Sequence, residues 1–438
     1  MELRVILVQT AQGLDPSSGG FKANVNLLRQ LADLGHHTAQ ICYAVSEEVQ
    51  LFVDRAKEVG IQPHIESSTM PLQGVDGVDH TLAVTAFTDQ FSVRNIVVDK
   101  IPWNTHYPIT EFWDDTQVYL DDGHVRPRMK AITDFFCAQI SKFRPTHVVF
   151  NDPVTMKATL SHLSRHTFKR VAIVHSAEQL PFGPYCARVP GHCLSPKAED
   201  TLLRGVDGIW TVSKALQRYA KEHGNLDTTF LVHSTRTYLD AVTGRMPVCR
   251  RNVHKKEVGM VNPCPAKGLT ILIALAKELP HINFVVWESW GSKERHLKQL
   301  APLANVVVEP TTHNTAEIWD RIRILLAPSV WFEAWGVVVA EAQLRGIPVV
   351  SSDAGGLREA KIGVPHCIPV KMVSGERDEA GDYIVPEQDV TKWVEAVARL
   401  VEDDVEYAAL ADLTREAAAH WLHNLDRRAH EKWLQEME

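Results

Sequence analysis

The sequence predicts an α/β protein of two doubly wound domains, each built on a parallel sheet. Short apolar runs of strand length alternate with longer helical patterns along almost all of the 438 residues. Strand, helix and strand in that order are typical of parallel sheets covered by helices on both faces. The chain is also too long for one ordinary core and long enough for two domains of about 200 residues each.

Ten apolar runs are the main strand candidates, five in each half of the chain. In the first half we predict strands at Arg4–Gln9, Thr38–Ala44, His147–Asn151, Arg170–His175 and Gly208–Val212. In the second half we predict strands at Glu257–Val261, Asn283–Glu288, Asn305–Glu309, Ile324–Ala327 and Ile347–Ser351. Helices are predicted between them, among others at Phe21–Leu34 and Arg128–Phe143.

A break between two domains is predicted shortly before Glu257. The segment Thr243–Lys256 is polar and basic with little periodicity, and a clean strand begins directly after it. An exposed loop inside a single domain would give the same local pattern. We predict an N-terminal domain over 1–245, a C-terminal domain over 255–410 and a helical segment over 411–438.

Charge and cysteine usage exclude several functional classes. The 46 Lys and Arg against 54 Asp and Glu give a net charge of −8, so nucleic acid is not expected as a partner. The seven Cys include no CxxC pair, and no apolar stretch has the roughly 18–20 residues that span a bilayer. We expect a reduced, cytoplasmic protein without a transmembrane segment. Peripheral contact with a membrane remains open.

A metal site is not predicted from the sequence. His162 and His166 are four residues apart and could share a helix face, but no third ligand accompanies them. The pairs Asp114-Asp115 and Asp121-Asp122 lack a DxD spacing. We expect neither a metal nor a bound cofactor.

The most informative segment is 326–360, where a strand leads into a polar loop and then a helix. The loop carries Ser329 and Glu333, and the helix is predicted from near Gly336 to Gly346. Ligands of open parallel sheets bind beyond the carboxyl ends of strands, and a helix start attracts anions. Glu341 lies about a turn and a half into the helix. Without the rest of the segment, Glu333 would be interpreted as a surface residue of the loop and Glu341 as a solvent-facing residue of the helix.

The whole segment decides between these interpretations. It contains the pattern PSxWxEAxGxVxxEAxxxGIPVxxSDxGGLxEA, with Glu333 and Glu341 in E-x7-E spacing. This pattern resembles the donor-site signature of retaining glycosyltransferases of family 4, which have the GT-B architecture. The resemblance implies two Rossmann-like domains facing a central cleft, with a C-terminal helix that crosses back to the first domain.

The resemblance also implies roles for the matching residues. Glu333 would contact hydroxyls of the transferred sugar, and Glu341 would hold the ribose of the nucleotide. The backbone of Trp335–Val337, which includes Gly336, would meet the pyrophosphate, with Ser329 and Ala334 in the same donor site. Carboxylates accept hydrogen bonds from hydroxyls, and free helix N–H groups suit phosphate, so the chemistry agrees.

A second segment, Glu257–Leu275, places a lysine at a strand-to-helix turn. After the strand come Asn262, a Pro-Cys-Pro turn and Lys267. A lysine here can offset the charge of a departing diphosphate. The family usually has an Arg six residues before this lysine, whereas Val261 occupies that position, so leaving-group stabilisation could use one cation instead of two. A solvated helix start is the alternative for Lys267.

The N-terminal half contributes shorter motifs. Gly19 and Gly20 precede the first helix and resemble the family's loop near the donor, although a Gly-Gly turn is often structural. A GxGxxG fingerprint is absent, which argues against a dehydrogenase. His175 at a strand end matches a family histidine that lies beside the transferred sugar. An ordinary core or surface histidine is the alternative.

Four residues are candidates for the acceptor side, all of them weaker. Asp152 follows a strand, although such residues usually cap helices. Glu178 follows His175 closely. Trp103 and Phe182 belong to aromatic-containing loops that could contact an acceptor or simply pack.

Together these patterns predict a retaining, metal-independent hexosyltransferase. It would transfer a sugar from a nucleotide-diphosphate donor to a hydroxyl of a small metabolite or glycan by a front-face mechanism. A UDP-sugar is favoured, and GDP-mannose with a glycan or lipid acceptor is the nearest rival. A glycoside phosphorylase, a sucrose- or trehalose-type synthase and a non-catalytic nucleotide-sugar binder are the alternatives.

Overall fold

The computed structural model describes residues 1–14, 18–162, 168–240, 243–312 and 314–437. Its contacts divide the chain into two compact units. The N-terminal unit comprises Met1–Val212, Gln217–Thr237 and Arg427–Glu438, and the C-terminal unit comprises Ser213–Leu216 and Tyr238–Asp426. This division differs from the predicted ranges 1–245, 255–410 and 411–438, because Tyr238 and the long helix that ends at Asn424 contact the C-terminal unit.

Within the residues that the structure describes, the N-terminal unit contains a nine-stranded sheet. Its strands are β1 (Arg4–Gln12), β2 (His37–Ala44), β3 (Glu66–Gln73), β4 (Asp79–Thr88), β5 (Val93–Asp99), β6 (His147–Phe150), β7 (Lys169–Val174), β8 (Gly208–Thr211) and β9 (Thr229–Phe230). They are ordered β3-β4-β5-β2-β1-β6-β7-β8-β9. The part from β5 to β9 is parallel, as predicted, and all five predicted strands of this half are present.

The other edge of this sheet is antiparallel, which the sequence pattern did not predict. Strand β4 runs antiparallel to both β3 and β5. Strand β3 is mostly exposed, as expected for a sheet edge. Its polar residues Ser67–Thr69 therefore give no apolar run of the kind that identified the other strands.

Among the described residues, eight helices in chain order accompany this half, and one more comes from near the end of the chain. They are α1 (Gly19–Asp33), α2 (Ser46–Glu58), α3 (Lys100–His106), α4 (Ile109–Asp122), α5 (Pro127–Phe143), α6 (Pro153–Ala158), α7 (Pro196–Arg204), α8 (Lys214–Gly224) and α16 (Ala429–Gln435). Helix α16 is held within the N-terminal unit: His147 Nε2 lies 2.9 Å from the Leu434 carbonyl oxygen, and His36 Nε2 lies 3.0 Å from Glu431 Oε1.

The C-terminal unit contains a wholly parallel six-stranded sheet. Its strands are β10 (Glu257–Val261), β11 (Phe284–Trp287), β12 (Val306–Glu309), β13 (Ile322–Ala327), β14 (Val349–Ser352) and β15 (Cys367–Ile368). The order β12-β11-β10-β13-β14-β15 is that of a doubly wound nucleotide-binding fold, in which the strand order reverses between β10 and β13. Ligands of such sheets bind at this reversal, beyond the carboxyl ends of the strands.

Seven helices accompany this sheet in the part of the chain that the structure describes. They are α9 (Leu269–Glu278), α10 (Glu294–Leu300), α11 (Thr315–Arg321), α12 (Val337–Gln343), α13 (Leu357–Ala360), α14 (Thr391–Glu402) and α15 (Asp404–Asn424). Among the helices that the structure describes, none combines the length and apolar character that a bilayer-spanning segment needs.

Candidate functional site

The strand reversal of the C-terminal unit brings together the predicted residues that follow β10 and β13. The two strands are paired, with Val258 opposite Ile324. The chain therefore leaves both strands at neighbouring points on the same edge of the sheet. Lys267 ends a short 3-10 turn after β10, and Ser329 and Glu333 lie in the loop after β13. Ser329 and Glu333, which follow Lys267 in the chain by 62 and 66 positions, thus lie next to it in the structure.

Glu333 is the centre of this cluster. Lys267 Nζ donates to Glu333 Oε1 in an ion pair, and Ser329 Oγ donates to the same oxygen at 2.7 Å. Both contacts are made to Oε1, and within the described chain Oε2 makes no hydrogen bond. The side chains are 27% exposed for Lys267 and 16% for Glu333, so the pair is accessible from solvent. One carboxylate oxygen is thus fixed while the other can accept a ligand hydroxyl.

Close backbone packing holds the two loops together. Gly268 has φ of +88°, and a Cβ there would lie 2.1 Å from the Pro328 carbonyl oxygen. The N–H groups of Val330 and Trp331 both donate to the Ala266 carbonyl oxygen, at 3.0 and 3.2 Å. Only glycine at 268 allows this approach, because any side chain would overlap backbone atoms. The spacing between Lys267 and Glu333 is therefore set by rigid elements.

Gly355 and Gly356 also support the backbone of Glu333. The Gly356 N–H donates to the Glu333 carbonyl oxygen at 2.6 Å. A Cβ at Gly355 would lie 2.3 Å from that carbonyl oxygen, and a Cβ at Gly356 would lie 2.3 Å from the Ala334 carbonyl oxygen. The turn at 353–356, which we call the glycine shelf, thus supports the backbone of residues 333–334.

Helix α12 begins at Val337, one residue later than predicted, with Gly336 as its N-cap. Gly336 has φ of +118°, and a Cβ there would lie 2.6 Å from Leu357 Cδ2. The helix ends at Gln343 after seven residues, and Gly346 follows with φ of +71°. Gly346 thus has the left-handed conformation that the sequence predicted for a helix end. So short a helix has a small dipole, and ligand contacts at its start would be made mainly by individual N–H groups.

Glu341 lies beside an aromatic group in the same unit. Trp335 is buried, and its ring stacks 6.0 Å from that of Trp421, which in turn meets Tyr238 edge-on at 4.9 Å. Burial raises the pKa of Tyr238, the negative charge of Glu341 adds to this, and a hydrogen bond from Trp335 acts in the opposite direction. The Trp335 ring is therefore part of the core, so only its backbone could contact a ligand.

Asn262 directly follows β10 and has an unusual backbone conformation. Its φ is +65°, its side chain is buried, and its Oδ1 accepts the Gly291 N–H at 3.1 Å. Its Nδ2 is buried without an acceptor among the described residues. Asparagine tolerates this left-handed conformation better than most residues. The side chain ties the loop after β11 to the loop after β10.

In the N-terminal unit the structure brings His175 and Gly20 together, two residues predicted from separate motifs. A Cβ on Gly20 would lie 3.0 Å from His175 Cγ, so the glycine lets α1 approach the imidazole. Gly19 begins α1, and Ser18 caps it by accepting the Phe21 N–H at 3.5 Å. The Gly-Gly turn therefore has both a structural use and a place beside His175.

His175 is held by residues that sequence analysis missed. Its Nε2 lies 2.6 Å from Asn24 Oδ1, and its backbone N–H donates to Gln179 Oε1 at 2.6 Å. Asn24 is buried, and its Nδ2 lies 3.4 Å from Gln9 Oε1. Asn24 and Gln9 occupy positions in an apolar helix and strand, and a polar residue at such positions was the one available signal.

Burial lowers the pKa of His175 to about 3. The imidazole is therefore neutral over the whole physiological pH range. His233 lies 5.9 Å away between ring centroids, and burial lowers its pKa as well, with further contributions from His175 and His430. A neutral His175 can donate and accept hydrogen bonds but supplies no positive charge.

The structure gives structural contacts to the acceptor candidates. Asp152 caps α6 by accepting the Thr155 N–H at 2.9 Å, as loop aspartates usually do. Trp103 is buried against Tyr43 at 4.5 Å. Glu178 lies in a short 3-10 turn after β7, and Phe182 is half-buried beside Gly224, where a Cβ would meet its ring. Their predicted acceptor contacts remain predictions.

Of the histidine pair at 162 and 166, the His162 side chain and all of His166 lie outside the described residues. Within the described parts of the chain, no group of three or more His, Cys, Asp or Glu side chains has an arrangement that could hold a metal ion.

The part of the C-terminal unit that carries Lys267 and Glu333 matches a known protein family. Residues 257–403 match the family model described as Glycosyl transferases group 1. The chain is 26% identical over 161 residues to D-inositol 3-phosphate glycosyltransferase of Xylanimonas cellulosilytica, which covers 35% of each protein. The chain thus matches about a third of the length of its first curated relatives.

Solved structures resemble the chain over almost its whole length. Sucrose-phosphate synthase from Thermosynechococcus elongatus has a TM-score of 0.68 at 14% identity, covering 99% of this chain and 98% of that one. Anabaena HepE in complex with UDP and glucose has a TM-score of 0.62 at 13% identity, covering 99% and 100%. These likenesses confirm the predicted GT-B fold.

Proposed function

We propose that this protein is a retaining glycosyltransferase that moves a hexose from a nucleotide-diphosphate sugar to a hydroxyl acceptor. The observation that carries the proposal is the contact of Lys267 and Ser329 with one oxygen of Glu333, at the strand reversal of a nucleotide-binding fold. The cluster lies inside the region that matches the glycosyltransferase family model. Its chemistry suits a sugar hydroxyl on one side and a phosphate on the other.

In this proposal Glu333 orients the transferred sugar and does not attack it. Its Oε1 is engaged by Lys267 and Ser329, so Oε2 accepts hydrogen bonds from sugar hydroxyls. Lys267 is positioned to neutralise the diphosphate as it leaves, since a cation aimed at developing charge lowers the barrier. Val261 stands where the family usually has an arginine, so Lys267 carries this role without that second cation.

The remaining donor contacts follow the same resemblance. Glu341 holds the ribose, and the backbone of residues 334–337 meets the pyrophosphate. The departing phosphate takes the proton of the acceptor hydroxyl, because the proposed mechanism proceeds on one face of the sugar and needs no metal. His175 contributes as a neutral hydrogen-bonding group beside the sugar, consistent with its lowered pKa.

A UDP-sugar is the favoured donor, and a small metabolite is the favoured acceptor. HepE, which shares the fold, has been solved with UDP and glucose. The D-inositol 3-phosphate glycosyltransferases are named for a small phosphorylated acceptor. Both observations concern other proteins and give the donor and acceptor classes to test first.

The direct test is donor turnover with UDP-glucose, GDP-mannose and ADP-glucose, each with and without a chelator. We expect slow nucleotide release from one donor, unaffected by the chelator, and faster release when an acceptor hydroxyl is supplied. An NMR spectrum of the product should show the anomeric configuration of the donor. Turnover of a sugar 1-phosphate in place of every nucleotide sugar would identify a phosphorylase and overturn the proposal.

A Glu333→Gln variant serves as the site-specific arm of this test. It keeps the size of the side chain and removes the charge that pairs with Lys267. We expect a large loss of turnover. Unaltered turnover would show that Glu333 is not part of the catalytic site. Any glycosyltransferase activity of the chain would then depend on a different cluster of residues.

A further inference from the structure

Three arginines converge around Gly346 in the C-terminal unit, on the far side of α12 from its N-terminus. Arg345 directly precedes Gly346, and the Arg250 N–H donates to the Arg345 carbonyl oxygen at 2.7 Å. A Cβ on Gly346 would lie 3.5 Å from Arg415 Cβ and 2.9 Å from Cys249 Sγ. Because Gly346 has no side chain, segments from three parts of the chain approach at this point. We call Arg250, Arg345 and Arg415 the arginine cluster.

The arginine cluster holds donors that nothing in the described chain accepts. Arg250 Nε and Arg415 Nη1 are both buried without a hydrogen-bond partner among the described residues. The indole Nε1 of Trp319 is also buried without a hydrogen-bond partner among the described residues. The guanidinium of Arg345 lies over the Trp319 ring, 5.2 Å from its centroid. Buried donors are normally paired, so unpaired donors near one point indicate a missing acceptor.

Among the described residues, Arg250 is the one member of the arginine cluster that forms an ion pair. Burial lowers the pKa of Arg345; the positive charges of Arg250 and Arg415 lower it further, while Glu341 and Asp240 oppose the shift. Arg415 makes no ion pair or hydrogen bond with any described residue. Desolvated guanidinium groups gain most from an anion that can be shared between them.

The nearby acidic residues do not accept these donors. Asp320 binds Arg250 Nη1 at 2.9 Å from an exposed position, which leaves Arg250 Nε unpaired. Asp240 Oδ1 accepts both the N–H and the hydroxyl of Thr243, each at 2.8 Å. Arg345 reaches Glu341 only through a hydrogen bond to its backbone carbonyl oxygen, at 2.8 Å. None of these groups accepts the unpaired donors of Arg250 and Arg415.

We propose that the arginine cluster binds the phosphate group of a small phosphorylated metabolite or free phosphate, at a site separate from the sugar-donor site. A phosphate offers three or more acceptor oxygens, which matches several guanidinium donors arriving from different directions. Arg250 lies at the open side, with its side chain 33% exposed, and Cys249 beside it is also exposed. Arg345 and Arg415 are half-buried beside it.

The test uses the full chain and phosphorus-31 NMR titration with two probes, inorganic phosphate and glucose 6-phosphate. Arg415→Met removes the unpaired guanidinium and keeps the aliphatic stem beside Gly346. Hydrogen bonds to charged groups predict a loss of about ten-fold to a hundred-fold in affinity for the probe. Arg399→Met, a surface arginine of the same unit paired with Glu406, is the matched control and should bind as the unaltered protein does.

A Lys267→Met variant separates this site from the donor site. We expect it to bind phosphate as well as the unaltered protein and to lose binding of the nucleotide. Tighter binding of glucose 6-phosphate than of inorganic phosphate identifies a metabolite site, and equal binding identifies a phosphate site. Loss of phosphate binding in Lys267→Met but not in Arg415→Met overturns the proposal, as does the absence of saturable binding of either probe to the unaltered protein.

Discussion

Replacing Lys267 by methionine separates catalysis from stability in the proposed site. The change keeps the length of the aliphatic stem and removes the charge that contacts Glu333 Oε1. A charge-assisted hydrogen bond of this kind stabilises by about 1.5–3 kcal/mol when well shielded. Here the two side chains are 27% and 16% exposed, and Ser329 still donates to Glu333 after the change. Solvent screening and the remaining bond reduce the expected loss of stability to about 1 kcal/mol.

The effect on turnover should be much larger. Removal of a single group aimed at developing negative charge typically costs about a hundred-fold to a thousand-fold in kcat. That range corresponds to about 3–4 kcal/mol of barrier. Because Val261 stands where the family that the sequence resembles usually has an arginine, we expect no compensation from that position and a loss toward the upper end.

Steady-state kinetics with the preferred nucleotide sugar measure kcat, and urea unfolding measures stability on the same preparations. Lys277→Met is the matched control, since Lys277 is an exposed lysine of α9, the helix that follows Lys267. The control should change neither quantity. A Lys267→Met protein that keeps its kcat, or that loses kcat only in proportion to a large loss of folded protein, would refute the reasoning.

Three further predictions concern the glycine shelf, the buried histidine and the central carboxylate. Gly356→Ala places a Cβ 2.3 Å from the Ala334 carbonyl oxygen. It should therefore lower the free energy of unfolding by about 1–3 kcal/mol and raise the KM for the sugar donor. Gly205→Ala is the control and should change neither quantity, because the nearest atom to its Cβ is 3.4 Å away. The folded-state pKa of His175, about 3, lies below the ordinary value of 6.5, so the unfolded chain binds a proton at His175 before the folded chain does as the pH falls. The contribution of His175 to the free energy of unfolding should therefore be complete above pH 6.5 and decline by about 1.4 kcal/mol per pH unit below it. Urea unfolding of His175→Gln across that range should show a flatter acid limb, and a limb as steep as that of the unaltered protein would contradict the burial argument. Glu333→Gln should lower kcat by about a hundred-fold or more while its unfolding free energy falls by about 1 kcal/mol, and a change in KM alone would assign Glu333 to binding only.

The central strands β10, β11, β13 and β14 of the C-terminal sheet were predictable because they are buried on both faces. Strand β10 was predicted at its observed bounds, and β13 and β14 were placed within two residues at each end. Continuous apolar runs identify such strands directly. The rule that parallel sheets bind ligands at their carboxyl edge places the loops that carry Lys267 and Glu333 at that edge, but the contact between the two side chains is visible only in the structure.

The antiparallel edge of the N-terminal sheet could not be predicted in this way. Strand β3 alternates little and exposes Ser67–Thr69, so its strand conformation depends on pairing with β4. The same limit applies to the partners of His175. Asn24 lies 151 residues away in the chain, and its contact with the imidazole depends on how α1 packs beside β7. Local pattern carries no information about such a distance.

The arginine cluster shows a third kind of limit. Arg250, Arg345 and Arg415 lie in a loop, at a helix end and in a long helix, and each has an unremarkable sequence context. Only Gly346, predicted as a helix end, marks the point where they meet. Convergence of distant charges is a property of packing, so it can be read from the structure alone.

The most direct measurement is a crystal structure of the protein soaked with the nucleotide sugar that it turns over. The account predicts that a sugar hydroxyl lies within hydrogen-bonding distance of Glu333 Oε2 and that the diphosphate contacts Lys267. Well-ordered nucleotide sugar bound away from both side chains would contradict it.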